Sequence, residues 1–321
     1  MLLDTGISII MNRWLEAGQD ELVLFITDEH HEREAAAVEK WARSSDSVVR
    51  VIVLNSSDVQ EGSVIEEMEE LLKRANVIIG ATDNSFITSP SVEKATKAGA
   101  RFLSIPLSCN DGSSLLENDF IAMDTRWAYR IGKRMQPVVK NASFIRVTTE
   151  KGTDLLFDKR ERKCGLYNGM ATRPGQTTSA SFEIFVPVVE TGTEGKLILD
   201  GSLGYIGTVS EPVEIVFHEG KLEIISDNHD SLRLRDYIGS FEDPKMWMTG
   251  EFGIGLNALS KCRGVSYIED ESTYGTFHIG MGRNISLGGA QMAKGHFDIV
   301  THSPTIYADD TLIMKDGQCV L

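Results

Sequence analysis

His296 and Asp298 stand two residues apart in GHFDIV, an apolar run with strand spacing. Alternate residues of a strand project from one face, so this imidazole and this carboxylate point into the same space. Three further residues share the setting. His278 sits in GTFHIGMG among Gly275, Gly280 and Gly282, small neighbours that let a backbone or a ligand come close. Glu251 lies in the otherwise uncharged run Met248–Leu256, and Glu183 lies in SASFEIFVP. Carboxylates seldom enter such runs without a partner or a metal, because burying an unpaired charge is costly. Two glutamates, two histidines and an aspartate match the donors of hydrolytic zinc or manganese centres, or of a mononuclear iron site.

The remaining histidines read as surface groups. His30 and His31 head a predicted helix beside Asp28 and Glu29, where a solvated helix start is the ordinary reading. His218 falls in a hairpin turn, His229 in the polar run SDNHDS, and His302 after a strand end. Met246 and Trp247, next to the Glu251 run, read as core packing. Four cysteines, Cys109, Cys164, Cys262 and Cys319, lie far apart with no CxxC pair, so reduced thiols are expected and any metal uses oxygen and nitrogen donors.

The elements that must position these donors fall into two domains, as 321 residues suggest. In residues 1–140, ELVLFITD, VVRVIVLN, ANVIIGATD and ARFLSIPL read as strands separated by the helical stretches HEREAAAVEKWARSS, EEMEELLKRA and SPSVEKATKAG, the pattern of a parallel sheet. No GxGxxG follows the first strand, so no dinucleotide is expected. Asp83, Asn84 and Ser85, just after the third strand, read as loop polarity. A connecting helix near 123–143, closed by Pro137, leads into residues 141–321, whose short alternating strands and glycine turns (His218-Glu219-Gly220, Lys315-Asp316-Gly317) indicate a mainly antiparallel β domain that carries the metal. SLRLRDYIGSF reads as a helix within it. The fold class is therefore an α/β domain with a parallel sheet followed by a β-rich, α+β domain.

A net charge of −15 argues against a nucleic-acid partner. No apolar run approaches the roughly 20 residues that span a bilayer. The start, MLLDTGISIIMNRWLEAG, has neither the basic segment nor the cleavage site of a signal peptide, so a cytoplasmic protein is expected.

The order SFEIFVP, TEGKLILDGSL, PVEIVFHEGKLE, GEFGIGLN, FHIGMGRN and GHFDIV, followed by an acidic hairpin, resembles the thermophilic-type metallo-aminopeptidases, the aminopeptidase T family. The resemblance implies a two-metal centre in which Glu183, Glu251, His278, His296 and Asp298 correspond to family ligands; the family's tyrosine, seven residues after the first histidine, is Ile285 here. It further implies a hydrolase acting on small-molecule or short-peptide substrates, a homodimer, and zinc, manganese or cobalt at the site, with Glu183 as an additional ligand or the base that accepts a water proton. A second resemblance, to the 2,5-dihydroxypyridine dioxygenases, rests on LRDYIGSFEDP, GRNISLGG and the terminal GHFDI. It implies one Fe(II), with His296 and Asp298 as two of its ligands and Glu251 at the place of the family's first histidine. Metal-dependent hydrolysis is the principal expectation, with ring-cleaving dioxygenation and a non-catalytic relative as alternatives. The non-catalytic reading requires some of the carboxylates to be exposed or paired with Arg233, Arg235, Arg263 or Arg283.

Overall fold

A computed structural model describes residues 1–45 and 47–321, leaving aside the side chains of Gln60 and Glu61. The chain forms two compact units, residues 1–125 with 167–181, and residues 126–166 with 182–321. The expected single break near 140 thus differs from the observed division. The helix Thr125–Asn141 falls almost wholly in the second unit, and a later segment returns to the first.

The first unit is built on a five-stranded sheet in the order Val48–Leu54, Leu22–Asp28, Val77–Ala81, Arg101–Ser104, Thr177–Ser179, every pair parallel. Parallel strands covered by helices on their faces are apolar along their length, and Val23 to Asp28 are all buried. Leu24, Ile26, Ile65, Leu72, Ile78, Val92 and Phe102 form one cluster under the helices. The helix expected over EEMEELLKRA is interrupted: Met68, at φ −86° and ψ 3°, separates Ser63–Glu67 from Glu69–Leu72.

The second unit begins with the helix Thr125–Asn141, which runs through Pro137 rather than ending there. Thr125, Ala128, Gly132, Met135 and Val139 are buried at alternating spacings of three and four, while Pro137 is exposed. Packing of that stripe outweighs the one backbone hydrogen bond a proline forfeits. Two antiparallel sheets follow. The eight-stranded sheet runs Lys221–Ile224, Val213–His218, Thr193–Leu199, Asp154–Asp158, Phe144–Thr148, Thr305–Ala308, Thr311–Lys315, Gln318–Cys319. The five-stranded sheet runs His296–His302, Thr276–Gly282, Thr249–Gly255, Glu183–Pro187, Gly165–Tyr167. Their apolar faces meet, with Phe157 of the larger sheet 5.1 Å from Phe252 of the smaller between ring centroids. Burying each such phenylalanine stabilises the fold by about 1.5–3 kcal/mol.

In both predicted hairpin turns two residues take positive φ, Glu219 with Gly220 and Asp316 with Gly317. The helix His229–Ser240 is closed at its start by a reciprocal pair in which Asn228 accepts from the Ser231 amide and Ser231 accepts from the Asn228 amide. Among the described residues, no helix is long and apolar enough to cross a membrane. No disulfide joins the four cysteines.

Candidate metal centre

Strand alternation sorts the smaller sheet of the second unit into two faces. Ile184, Val186, Phe252, Ile254, Phe277, Ile279, Met281, Phe297 and Ile299 point into the core, each fully or nearly fully buried. The opposite face carries Glu183, Glu251, His278, His296 and Asp298. The register shows how they meet: Glu251 and Asp298 lie on either side of Gly280, His278 lies opposite Gly253, His296 opposite Gly282, and Glu183 opposite Gly255. Glycine is required at two of these points by space. A Cβ on Gly253 would fall 1.9 Å from His278 Nε2, and one on Gly280 would fall 2.6 Å from His296 Cε1 and 2.8 Å from the Glu251 Cβ. The glycines of GEFGIGLN and FHIGMG are the floor on which larger donors lie.

A bulge aims Glu251. Thr249 pairs with Met281 and Glu251 with Gly280, so one residue is inserted between them. Without it, Glu251 would fall opposite Ile279 on the apolar face. Bulges beside functional sites commonly redirect a side chain in this way.

The donors form two groups that share Glu251: Glu251 with His296 and Asp298, and Glu183 with Glu251 and His278. His296 Nε2 lies 3.3 Å from Glu251 Oε2 and 3.4 Å from Asp298 Oδ1. Its Nδ1 lies 2.8 Å from the Arg283 carbonyl oxygen, which can only accept, so Nδ1 carries a proton and Nε2 is the nitrogen turned toward the carboxylates. Such a backbone anchor on the far nitrogen is the usual support of a metal-bound histidine. His278 Nε2 lies 3.0 Å from Glu183 Oε2. Asp298 Oδ1 and His278 Nδ1 are buried and receive no hydrogen bond among the described residues.

Charge explains why this cluster calls for a cation. Glu183, Glu251 and Asp298 are joined by Glu271, a fourth buried carboxyl, from the helical turn Tyr267–Ser272. Burial, reinforced by the charges of Asp298 and Glu183, lifts Glu271 well above the usual carboxylate range, so it stays protonated and hydrogen-bonds Asp298. Burial also raises Glu251 against the pull of His296. Burial disfavours the charged form of His278, but the hydrogen bond and charge of Glu183 prevail and push it up to about 9. His296 is raised by Asp298 and Glu251 despite its burial, and Asp298 is held low by His296. Arg233 pairs with Asp230 and Arg263 with Glu269, so these two arginines are engaged elsewhere. The carboxylates are buried, contrary to the exposure a vestigial cluster requires, and uncompensated buried charges cost several kcal/mol each. The donor chemistry and the orphaned Asp298 Oδ1 therefore fit a divalent metal.

Position corrects the reading of His31 and agrees with those of Met246, His218 and His229. His31 is not a solvated helix start: it is buried, with Nε2 2.8 Å from Asp83 Oδ1, and His30 Nδ1 lies 2.6 Å from Asp83 Oδ2. Ile285 is exposed in the glycine-rich loop after His278, whose Asn284 and Ala290 are held by Glu190. Met246 is core, packed where Cβ atoms of Gly282 and Gly295 would lie. His218 and His229 are exposed. Glu271 escaped the sequence reading as a site residue, although YIEDES showed three adjacent acids.

The NicX family, 2,5-dihydroxypyridine 5,6-dioxygenase, matches residues 18–321. The chain belongs to this family. Its match to the curated NicX-family member from Pseudomonas putida, 2,5-dihydroxypyridine 5,6-dioxygenase, is 24% identical over 197 residues, which are 58% of this chain and 56% of that protein. The alignment thus spans little more than half of the curated relative. The solved 2,5-dihydroxypyridine dioxygenase of Pseudomonas putida shares the fold at a TM-score of 0.79 and 19% identity, covering 99% of this chain and 96% of that one. AmpT from Thermus thermophilus, at a TM-score of 0.65 and 11% identity over 99% of each chain, shares the fold alone. Membership of the NicX family overturns the hydrolase expectation. The order of segments that resembled an aminopeptidase reflects a scaffold common to both groups, on which the reaction differs. An enzyme, and a divalent metal, remain.

Proposed function

We propose that this chain is an Fe(II) dioxygenase that opens a small dihydroxylated, electron-rich ring such as a hydroxypyridine, with Glu251, His296 and Asp298 holding the metal. The observation that carries the reading is the convergence of those three donors on the Gly280 floor in a chain of the NicX family. When bound, Fe(II) supplies the one-electron chemistry that allows O2 to combine with an organic ring, and both oxygen atoms end in the product. The donor set is one imidazole and two carboxylates where the usual facial triad has two imidazoles and one carboxylate, and three protein donors leave positions for substrate.

The chain's own residues divide the remaining work. His296, with its side chain 28% exposed while the other donors are nearly closed off, marks the side from which a substrate reaches the centre. Glu271 holds Asp298 by donating its proton, which keeps one carboxylate neutral beside three others. His278 holds a proton at Nε2 against Glu183 Oε2, 3.0 Å away and next to Glu251, where a ring hydroxyl of the substrate can exchange with it. Tyr205 and Tyr267 lie with ring centroids 4.4 Å apart, and the charge of Asp298 reaches both hydroxyls, so an aromatic wall stands beside the site.

The test is anaerobic reconstitution with Fe(II), followed by oxygen-uptake measurements with 2,5-dihydroxypyridine and a panel of catechols. Consumption of one O2 per ring with loss of ring absorbance is expected. Absence of uptake with every ring, in protein shown to hold iron, would sink the reading.

A further inference from the structure

We propose that the first unit holds a second, separate divalent-cation site, formed by Asp28, His30, His31 and Asp83, for a borderline transition ion of the zinc type. The four side chains come from two segments brought together by the parallel sheet. Asp28 ends the strand Leu22–Asp28, His30 and His31 follow it in a single turn, and Asp83 lies just past the neighbouring strand Val77–Ala81. The sheet order places these two strands side by side while the chain leaves the first of them toward the opposite neighbour, Val48–Leu54. That divergence is the topological switch point of an open parallel sheet, where a crevice opens outside the carboxyl ends of the strands.

Within the crevice Asp28, His31 and Asp83 converge as a ligand set, with His30 at its rim on the other oxygen of Asp83. His31 Nε2 lies 2.8 Å from Asp83 Oδ1 and 3.8 Å from Asp28 Oδ1, while His30 Nδ1 lies 2.6 Å from Asp83 Oδ2 and 3.7 Å from Asp28 Oδ1. A tetrahedral ion with bonds of about 2.1 Å sets its donors about 3.4 Å apart, in the middle of that spread. Asp28 is fully buried and held rigidly, its Oδ1 accepting from the His30 amide and its Oδ2 from the Asp83 amide. It forms a fixed floor. His30, with 54% of its side chain exposed, is the way in. Two imidazoles with two carboxylates suit zinc or cobalt better than calcium or magnesium, which take oxygen ligands. Without an ion, a proton on His30 fills the same role, and the rise of His30 caused first by its hydrogen bond to Asp83 is consistent with that substitution.

The experiment compares the full-length chain with its Asp83→Asn and His31→Ala variants after dialysis in buffered micromolar Zn2+. Each variant is expected to retain one equivalent of zinc fewer than the parent. Co2+ loaded in place of zinc is expected to show the visible absorption of a four-coordinate nitrogen and oxygen site, lost in both variants. Equal zinc content in parent and variants, or an unchanged cobalt spectrum, would overturn the site. Should Asp83→Asn or His31→Ala fail to fold, His30→Ala at the exposed rim is expected to weaken Zn2+ binding at least tenfold, and an unchanged affinity overturns the proposal equally. Oxygen uptake by the Fe(II)-loaded chain is expected to be unaffected by Asp83→Asn, which separates this site from the centre in the second unit.

Discussion

Gly280 and His296 are related by exclusion: a methyl group on Gly280 would stand 2.6 Å from His296 Cε1. The same methyl would also press on Glu251, which lies opposite Gly280 in the sheet. Gly280→Ala is therefore expected to displace two of the three proposed metal donors at once while leaving the core face of the strand unchanged. Metal affinity is expected to fall by about 10–100-fold, the range seen when groups that orient ligands are disturbed. Metal titration followed alongside circular dichroism checks it, and a variant that binds metal as the parent does would show that the floor is not tight.

How much of this was legible in the sequence depended on whether the signal was local. The i, i+2 spacing of His296 and Asp298, and the glycines around His278 and Glu251, gave away a one-faced cluster because strand alternation operates over two residues. The Glu251 bulge carries no such signal. Asp28 and Asp83 are 55 residues apart and meet only because two strands pair in parallel. Thr177–Ser179 joins that sheet with three residues, too few for any period. No local period marks Glu271 as facing the donors, because its burial arises from packing of Tyr267–Ser272 against the site sheet. The reaction is illegible for a related reason: the scaffold order is common to the NicX family and the aminopeptidases, and segment order does not distinguish them.

Glu271 distinguishes a positioning role from a merely structural one. Glu271→Gln keeps a hydrogen-bond donor for Asp298 and removes an ionisable carboxyl, so metal affinity is expected to remain within a few-fold of the parent. Glu271→Ala leaves that carboxylate oxygen without its donor and is expected to cost about 10–100-fold in affinity. Similar losses in both variants would contradict the role.

The pH dependence of the metal-free chain follows from the signs of the shifts. Glu251 and Glu271 hold protons above the ordinary carboxylate value of 4.5, and His278 and His296 above the ordinary imidazole value of 6.5, His278 up to about 9. In each case the folded chain binds more protons than the unfolded one, so the stability involved is present below the ordinary value and is lost as pH rises through the folded one. Asp298 has the opposite sign, but its contribution is lost only in acid, below that span. The metal-free unfolding temperature is therefore expected to fall from pH 6.5 to 9. A bound divalent ion replaces the protons, so the difference between metal-loaded and metal-free chains should widen with pH. Parallel thermal melts give the answer, and a constant difference would be inconsistent with the cluster described.

The capping pair of Asn228 and Ser231 offers a control remote from the donors. Asn228→Ala removes the acceptor of the Ser231 amide at the start of the helix His229–Ser240. A loss of about 1 kcal/mol in unfolding free energy is expected from chemical denaturation, with metal content unchanged.

Glu251 bears on the proposed activity most directly. The 2,5-dihydroxypyridine dioxygenases that this chain resembles place a histidine at this position, so Glu251→His would convert one imidazole and two carboxylates into the two-imidazole, one-carboxylate triad typical of non-haem Fe(II) oxygenases. The substitution also removes one of four crowded buried carboxyls, which favours the metal-free fold. Glu251→His is expected to keep Fe(II) and oxygen uptake, whereas Glu251→Ala, with no donor over the Gly280 floor, should lose uptake by more than about 100-fold, beyond the effect of losing a supporting group. Iron content and oxygen consumption measured together decide between outcomes. If alanine and histidine at 251 behave alike and both retain full activity, Glu251 is not a ligand, and the metal is held by His296 and Asp298 with a different third partner.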